Sequence, residues 1–137
     1  MKILMLSLDG MWYRVARASY GSDESIIGKE FRLEDCLMIL IHVEKEDEGR
    51  KNKLIRKLLN NITWYSRKIN NKRIVLHSFA HLSESKSEPE YAREIIDEVS
   101  RRLKDKGFEV HVTPFGYFLE LEIRIKGEPI ARIFKSL

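Results

Sequence analysis

The stretch "CLMILIHVE", residues 36–44, decides the fold because it is a continuous apolar run without alternating polar residues. Such a run is typical of a strand that is covered on both faces, as in a parallel or mixed sheet. The next segment has the period of an amphipathic helix ending at Asn70-Asn71, and "RIVLHSF", residues 73–79, returns to the strand pattern. This order predicts a sheet with a helix packed on it. The apolar face of the helix contains Leu54, Ile55, Leu58, Leu59, Ile62 and Tyr65.

The elements downstream of this unit extend the sheet. Pro89 suits the first turn of a second helix, and Gly107 is the natural end of that helix. In "YFLELEIRI", residues 117–125, apolar and polar residues alternate, which indicates a strand with one buried face and one polar face. Two further strands are predicted over "FEVHVT" (108–113) and "IARIFKSL" (130–137), and Pro129 opens the second of them.

The N-terminal part of the chain predicts a hairpin. Residues 2–8 and 11–18 are apolar and flank Asp9-Gly10, a frequent tight-turn pair. Residues 19–35 have two glycines and weak periodicity, which favours a surface loop. The whole pattern predicts an α/β (α+β) fold, a mixed sheet of about six to seven strands with two main helices packed on it. The length of 137 residues and the absence of linkers and repeats indicate one domain over residues 1–137.

Composition excludes several classes of protein. Hydrophobic residues make up 43% of the chain, but no apolar run approaches the ~20 residues of a membrane span, so no membrane contact is expected. "MKILMLSL" has no small-residue cleavage site and is interpreted as a strand, so we expect a cytoplasmic protein. Cys36 is the single cysteine and is predicted to be an inert buried thiol rather than a nucleophile. No phosphate-loop, dinucleotide or metal motif occurs, so neither a cofactor nor a metal is expected.

Positive charge is concentrated on the first predicted helix. Residues 50–73 carry nine lysines and arginines and no acidic residue. Such a cluster has two interpretations: a solvated helix face, or a surface that attracts the phosphates of a nucleic acid. The candidate nucleic-acid-contacting residues on this helix are Arg56, Lys57, Arg67 and Lys68, which mostly point away from its apolar face.

Two short stretches are candidates for a binding site. "SFAHLS", residues 78–83, places His81 in the connection after a strand, whereas His42, His77 and His111 lie inside apolar runs and are predicted to be structural. "TPFGY", residues 113–117, breaks the sheet pattern and exposes backbone groups that can hold a ligand. No serine, cysteine or threonine nucleophile with an evident base can be identified.

These stretches, taken in order, carry a family resemblance. "HVEKEDE", "SFAHLSESKSEP", "LKDKGFEV", "TPFGYF" and "IRIKGEPIARI" follow one another with few gaps. The chain thereby resembles the archaeal editing domain of threonyl-tRNA synthetase over nearly its whole length. The resemblance implies a fold like that of D-aminoacyl-tRNA deacylases and the hydrolysis of serine mischarged on threonine tRNA. It also implies a homodimer, and a synthetase catalytic module in cis or in trans as partner.

The resemblance also implies site residues. His81 would be the catalytic side chain, and it would form the floor for the aminoacyl group with Ala80 and Val43. Backbone groups, a water molecule and the ribose hydroxyl of the tRNA would carry the reaction. The substrate-binding residues would be Val43, Phe79, Ala80, Phe115, Gly116, Tyr117 and Phe118, with 115–117 on the wall opposite the floor.

The chain departs from the family at positions that handle the substrate. A family lysine is Leu119 here, a tyrosine is Phe118, and a glutamate is replaced by Arg132, which reverses the charge. The proline before the aromatic residue is Ser78, and the N-terminal His-Ser-Asp-Tyr is Ser-Leu-Asp-Gly at residues 7–10. Three hypotheses remain: a working deacylase, a lapsed copy that binds tRNA or docks on a synthetase, and a structural domain whose basic helix is only solvated.

Overall fold

A computed structural model describes residues 1–19 and 22–137 and contains a six-stranded mixed sheet with two helices. The predicted fold class is therefore confirmed. Tyr20 and Gly21, which belong to the predicted 19–35 loop, lie outside the described residues. The elements are β1 Lys2–Ala18, β2 Glu30–His42, α1 Lys51–Ile69, β3 Arg73–Ser78, α2 Pro89–Asp105, β4 Glu109–Val112, β5 Tyr117–Ile125 and β6 Arg132–Ser136.

The sheet has the strand order β4-β3-β2-β1-β5, and β6 also pairs with β1. The β2–β3 and β3–β4 pairs are parallel, and the three pairs that involve β1 are antiparallel. Each parallel pair is connected through one helix, as the strand-helix-strand pattern predicted. The C-terminal end of β3 therefore lies at the same edge as the C-terminal ends of β2 and β4, where loops can build a site.

The predicted N-terminal hairpin is wrong, because residues 2–18 form one strand of 17 residues. Its first part pairs with β6 from Lys2 to Leu6, and its second part pairs with β5 from Leu8 onward. The register against β5 shifts between Leu8 and Gly10, so Asp9 is the extra residue of a β-bulge rather than part of a turn.

The bulge changes which residues of β1 face each side of the sheet. Leu6 and Leu8 before it, and Met11 and Tyr13 after it, belong to the same apolar cluster. A strand without a bulge would place even and odd positions on opposite faces. Asp35 of β2, with a φ of 47°, changes the alternation of that strand at the same level of the sheet.

Two other boundaries differ from the prediction. β2 begins at Glu30, six residues before the apolar run, and takes the end of the predicted loop into the sheet. In that part Phe31 and Leu33 alternate with charged residues, which made the strand pattern weak. Pro129 does not open the last strand but begins a 3-10 turn, Pro129–Ala131, that precedes β6.

The sheet has an apolar cluster on each face. Leu37, Ile39 and Ile41 of β2 pack with the buried faces of α1 and α2. Cys36, Met38 and Leu40 belong to the second cluster, on the face away from the helices. Cys36 is buried as predicted, and burial raises the pKa of its thiol to about 11. Neither of the two described helices is long and apolar enough to cross a membrane.

Candidate functional site

The two predicted site stretches meet at a cavity of about 540 Å³. One wall is the end of β3 with the residues that follow it, and the other is the β4–β5 connection with the start of β5. The structure thus brings together two segments that lie more than thirty positions apart in the chain. The lining includes the predicted residues Phe79, Ala80, His81, Phe115, Gly116, Tyr117 and Phe118, and in addition His77, Thr113 and Leu119.

The connection that carries His81 is bound to the end of β2 through His42. The Leu82 N–H donates to His42 Nδ1 at 2.9 Å, and His42 Nε2 lies 2.6 Å from the carbonyl oxygen of Ser85. His42 is fully buried, and its ring holds the connection at Leu82 and at Ser85. The prediction that His42 is a hydrogen-bonded structural histidine is confirmed.

Val43 and Glu44, which follow His42 in the chain, also bind the connection that carries His81. Val43 is buried in the helix-side core and its carbonyl accepts the Ser87 N–H at 3.1 Å; it is not among the described residues that line the cavity. Glu44 accepts the Ser83 hydroxyl at 2.7 Å and the Met1 α-ammonium group at 2.9 Å. Burial raises the pKa of Glu44, but these hydrogen bonds and the ammonium charge outweigh it and lower the pKa to about 2. Glu44 is therefore ionised at neutral pH.

The opposite wall is held at Gly116. The carbonyl oxygen of Gly116 accepts the Ser19 N–H at 2.9 Å, the Ser19 hydroxyl at 2.7 Å and the Ser22 hydroxyl at 2.8 Å. The φ of Gly116 is +89°, which L-residues with a side chain rarely adopt. A Cβ at this position would lie 2.6 Å from Ser22 Oγ, so an alanine here would be strained and would displace the Ser22 hydroxyl.

The two histidines at the cavity flank one phenylalanine. His81 is exposed, its N–H donates to the Phe79 carbonyl at 2.9 Å, and the ring centroids of Phe79 and His81 lie 5.0 Å apart, edge to face. His77 lies on the other side of Phe79, with 5.9 Å between ring centroids. The prediction that His77 is hydrogen-bonded is confirmed, since its Nδ1 lies 2.8 Å from Thr113 Oγ1. Its position at the cavity was missed; the spacing of residues 77, 79 and 81 at a strand end was the available signal.

The lining of the cavity is mostly apolar, and within the described residues it contains no lysine, arginine, aspartate or glutamate. Leu119, where the resemblance implies a family lysine, lines it. Arg132, where the resemblance implies a family glutamate, does not line it: it pairs with Leu6 on β1 and donates to the Lys126 carbonyl at 3.2 Å. Leu119 pairs with Val15 of β1, whereas Arg132 pairs with Leu6. The two residues therefore lie nine positions of β1 apart, or about 30 Å along the strand.

Three of the described residues that line the cavity have backbone N–H groups without a protein acceptor. In the part of the chain that the structure describes, the N–H groups of Ala80, Phe115 and Gly116 donate to no protein acceptor. Backbone N–H groups of this kind can stabilise the negative oxygen that develops when a carbonyl is attacked. No group of three metal-ligating side chains occurs among the same described residues.

The basic helix runs away from the cavity. Lys51, at the start of α1, forms an ion pair with Glu94 of α2, and Pro89 at the start of α2 lines the cavity. Because a helix rises ~1.5 Å per residue, Arg56 lies about 8 Å and Arg67 about 24 Å along the axis from Lys51. Arg56, Arg67 and Lys68 are exposed and Lys57 is half-buried, and none of the four forms an ion pair with a described residue.

A family profile and several threonine–tRNA ligases match the whole chain. The family profile described as the archaea-specific editing domain of threonyl-tRNA synthetase matches residues 1–137. Threonine–tRNA ligases from Thermococcus gammatolerans, Thermococcus onnurineus and Pyrococcus horikoshii are 30%, 31% and 31% identical over 139 residues. Each alignment covers 100% of this chain and 22% of the relative, so the chain spans about a fifth of the length of these ligases.

A solved structure, that of the c-Myc DNA Unwinding Element Binding Protein, has a TM-score of 0.67 to this chain at 12% identity. The match covers 100% of this chain and 99% of the solved chain, which shows that the fold is shared over the whole length. The fold class implied by the resemblance, the D-aminoacyl-tRNA deacylase-like mixed sheet with two helices, is confirmed. The chain belongs to the family of archaea-specific editing domains of threonyl-tRNA synthetase.

Proposed function

We propose that this domain hydrolyses the ester bond of threonine tRNA that carries serine by mistake. The cavity of about 540 Å³ carries the proposal, because it joins the two stretches that mark the family. Its volume lies within the range of small-molecule sites, roughly 300–1,000 Å³. The family assignment and the relatives, which are threonine–tRNA ligases, support threonine tRNA as the substrate class.

The proposed chemistry uses backbone donors rather than a side-chain nucleophile. The N–H groups of Ala80, Phe115 and Gly116 bind the ester oxygen as it becomes negative, and a water molecule attacks the carbonyl carbon. His81, exposed at the cavity and packed against Phe79, contacts the aminoacyl group or the ribose of the terminal adenosine. Val43 contributes indirectly, because its carbonyl oxygen holds Ser87 of the connection. Phe118 and Tyr117 form the wall opposite His81.

The proposed partners are tRNA, a synthetase catalytic module in cis or in trans, and a second copy of the chain. Leu121, Ile123 and Ile125 of β5 remain half-buried on the sheet face away from the helices, which supports a homodimer that covers them. Light scattering on the purified domain will measure the mass directly. A monomer at micromolar concentration would contradict the dimer and leave the cavity proposal intact. We also propose that the protein acts in the cytoplasm, where charged tRNA is used.

A second candidate function is a copy of the domain that binds tRNA or docks on a synthetase without hydrolysing the ester. The specific observation in its favour is Leu119, which lines the cavity at the position of the family lysine. An alkyl side chain cannot donate hydrogen bonds to a water or a carbonyl group as an ammonium group does.

The release of labelled serine from seryl-tRNA(Thr) distinguishes the two candidates. The wild-type domain is expected to accelerate release over the spontaneous rate, and His81→Ala to reduce it. If the wild type does not accelerate release but binds the tRNA in a salt-dependent manner, the second candidate is supported. Activity that appears only in the Leu119→Lys, Arg132→Glu double variant would show that the natural chain has lost catalysis. If the domain neither accelerates release nor binds the tRNA, the basic helix is only a solvated face.

Charge reversal along α1 is expected to weaken tRNA binding unevenly. The pair Arg56→Glu and Lys57→Glu lies nearer the cavity, whereas Arg67→Glu and Lys68→Glu form a matched pair farther along the helix. Each lost phosphate contact lowers the slope of log K against log salt by ~0.9 for duplex nucleic acid. We expect the first pair to lose about two units of slope and the second pair less than about one. Filter binding between about 50 and 200 mM salt, roughly the range in which such slopes are resolved, measures both losses. Equal losses of slope for the two pairs, or no loss for either, would contradict this orientation of the tRNA along α1.

A further inference from the structure

His77 presents an unused ring nitrogen to the cavity. The residue is 9% exposed, and the cavity is the surface that it lines. Its Nδ1 bonds to Thr113 Oγ1, but within the described chain its Nε2 has no hydrogen-bond partner. Among the described residues, Ser7 Oγ is the only side-chain nitrogen or oxygen that is both enclosed in protein and without a hydrogen-bond partner. Among the same residues His77 Nε2 also has no partner, so it is not enclosed in protein. The free nitrogen is therefore reached from the cavity.

The hydrogen-bond network assigns the tautomer of His77. Thr113 is 4% exposed, and its hydroxyl donates to the Leu76 carbonyl at 3.4 Å. With its proton directed there, Thr113 Oγ1 accepts the hydrogen bond from His77, so Nδ1 carries the ring proton. Nε2 then has a lone pair and acts as an acceptor. This is the arrangement of a base held by an orienting partner.

We propose that His77 is a further catalytic residue, whose Nε2 holds the hydrolytic water and accepts its proton. This inference rests on the proposed deacylase function. The water oxygen forms a bond to the ester carbonyl carbon as one of its protons passes to Nε2. The bond between that carbon and the ribose oxygen then breaks, and the proton on Nε2 passes to the ribose oxygen. The products are the free amino acid and the tRNA with its hydroxyl restored.

The surroundings of His77 favour water over the ammonium group of the substrate as its ligand. Burial lowers the pKa of His77 to about 4, so the ring is neutral in the cell. A neutral ring does not compensate a positive charge, and the described lining contains no carboxylate that would do so. A water molecule carries no net charge, so a neutral ring in a cavity that Phe79 and Leu119 also line can hold it without a compensating charge.

The test compares His77→Asn with His77→Gln. The amide nitrogen of asparagine can replace Nδ1 and keep the bond to Thr113, but asparagine leaves no acceptor at the position of Nε2. The oxygen of glutamine can accept a hydrogen bond near that position but cannot take a proton. We expect His77→Asn to lower kcat for seryl-tRNA(Thr) about 100-fold, within the range for general-base catalysis, with KM changed less than about threefold. His77→Gln should recover part of the loss.

Three outcomes would overturn the proposal. The first is an unchanged kcat in folded His77→Asn, with folding checked by thermal unfolding. The second is a rise in KM that disappears with N-acetylseryl-tRNA, which would make His77 a ligand of the ammonium group. The third is an NMR spectrum in which Nε2 rather than Nδ1 carries the ring proton, a readout that does not depend on activity. A wild-type protein that does not release serine defeats the proposed function itself, and the catalytic role of His77 with it.

Discussion

Gly116→Ala is expected to lower the free energy of unfolding by about 2–3 kcal/mol and to disrupt one wall of the cavity. The positive φ accounts for ~1–2 kcal/mol of strain, and the displacement of the Ser22 hydroxyl for ~1 kcal/mol more. Urea unfolding measures the loss, and the release of serine from seryl-tRNA(Thr) should fall with it. The effect is large because the added Cβ atom causes both the backbone strain and the close contact with the Ser22 hydroxyl.

Two other glycines provide matched controls. Gly28 has a φ of +90° but no heavy atom within 4 Å of the position that a Cβ would occupy, so Gly28→Ala measures the strain alone. Gly127 has neither the positive φ nor a close neighbour, so Gly127→Ala should change stability by less than ~0.5 kcal/mol. If Gly116→Ala costs no more than Gly28→Ala, the hydroxyl of Ser22 does not hold the wall.

Acidification is expected to destabilise the domain by about 3 kcal/mol through His77. Burial lowers the pKa of this ring from 6.5 to about 4, so between these values the unfolded chain binds a proton that the folded protein does not. The stabilisation is complete above pH 6.5 and is lost as the pH falls toward 4, at ~1.4 kcal/mol per pH unit. The measurement is urea unfolding between about pH 7 and pH 4.

His77→Asn provides the control for this pH dependence. The variant lacks the ionisable ring, so its loss of stability between about pH 6.5 and pH 4.5 should be smaller than that of the wild type. Glu44, whose folded pKa is about 2, adds its own loss only as the pH falls below about 4.5, and that part should remain in the variant. Identical pH profiles for the two proteins would show that His77 is accessible to protons in the folded state.

The central elements could be predicted because their sequence patterns are strong and local. α1 carries six apolar residues at helical spacing and ends at Asn70, which adopts the left-handed conformation with a φ of 59°. β5 alternates along its whole length between half-buried and exposed residues, as the sequence indicates. In each case the pattern of one segment is sufficient, because one face packs on the core and the other meets solvent.

The parts that could not be predicted depend on contacts between distant segments. Asp9-Gly10 is compatible with a turn or a bulge, and only the pairing of β1 with both β5 and β6 decides between them. The position of His77 in the cavity depends on Thr113, 36 positions away. The location of Arg132 depends on which part of β1 receives β6. None of these pairings leaves a signal in a short stretch of one sequence.

The candidate site could be located from the sequence but not described. "SFAHLS" and "TPFGY" both contribute to the cavity, which the resemblance implied. The hydrogen bonds that hold them involve His42, Ser19 and Ser22, which are polar residues without a pattern of their own. Supporting residues of this kind become visible only when the loops are placed in space.

The bulge at Asp9 also determines how the domain can change its length. Loss of one residue there would exchange the two sides of the downstream half of β1, exposing Met11 and Tyr13 to water and turning Trp12 and Arg14 toward the interior. A single-residue gap at this point, which in a turn would be a harmless variation, is therefore equivalent to several simultaneous core substitutions. When sequences of this family are aligned, a gap beside this aspartate should be treated as a change of architecture.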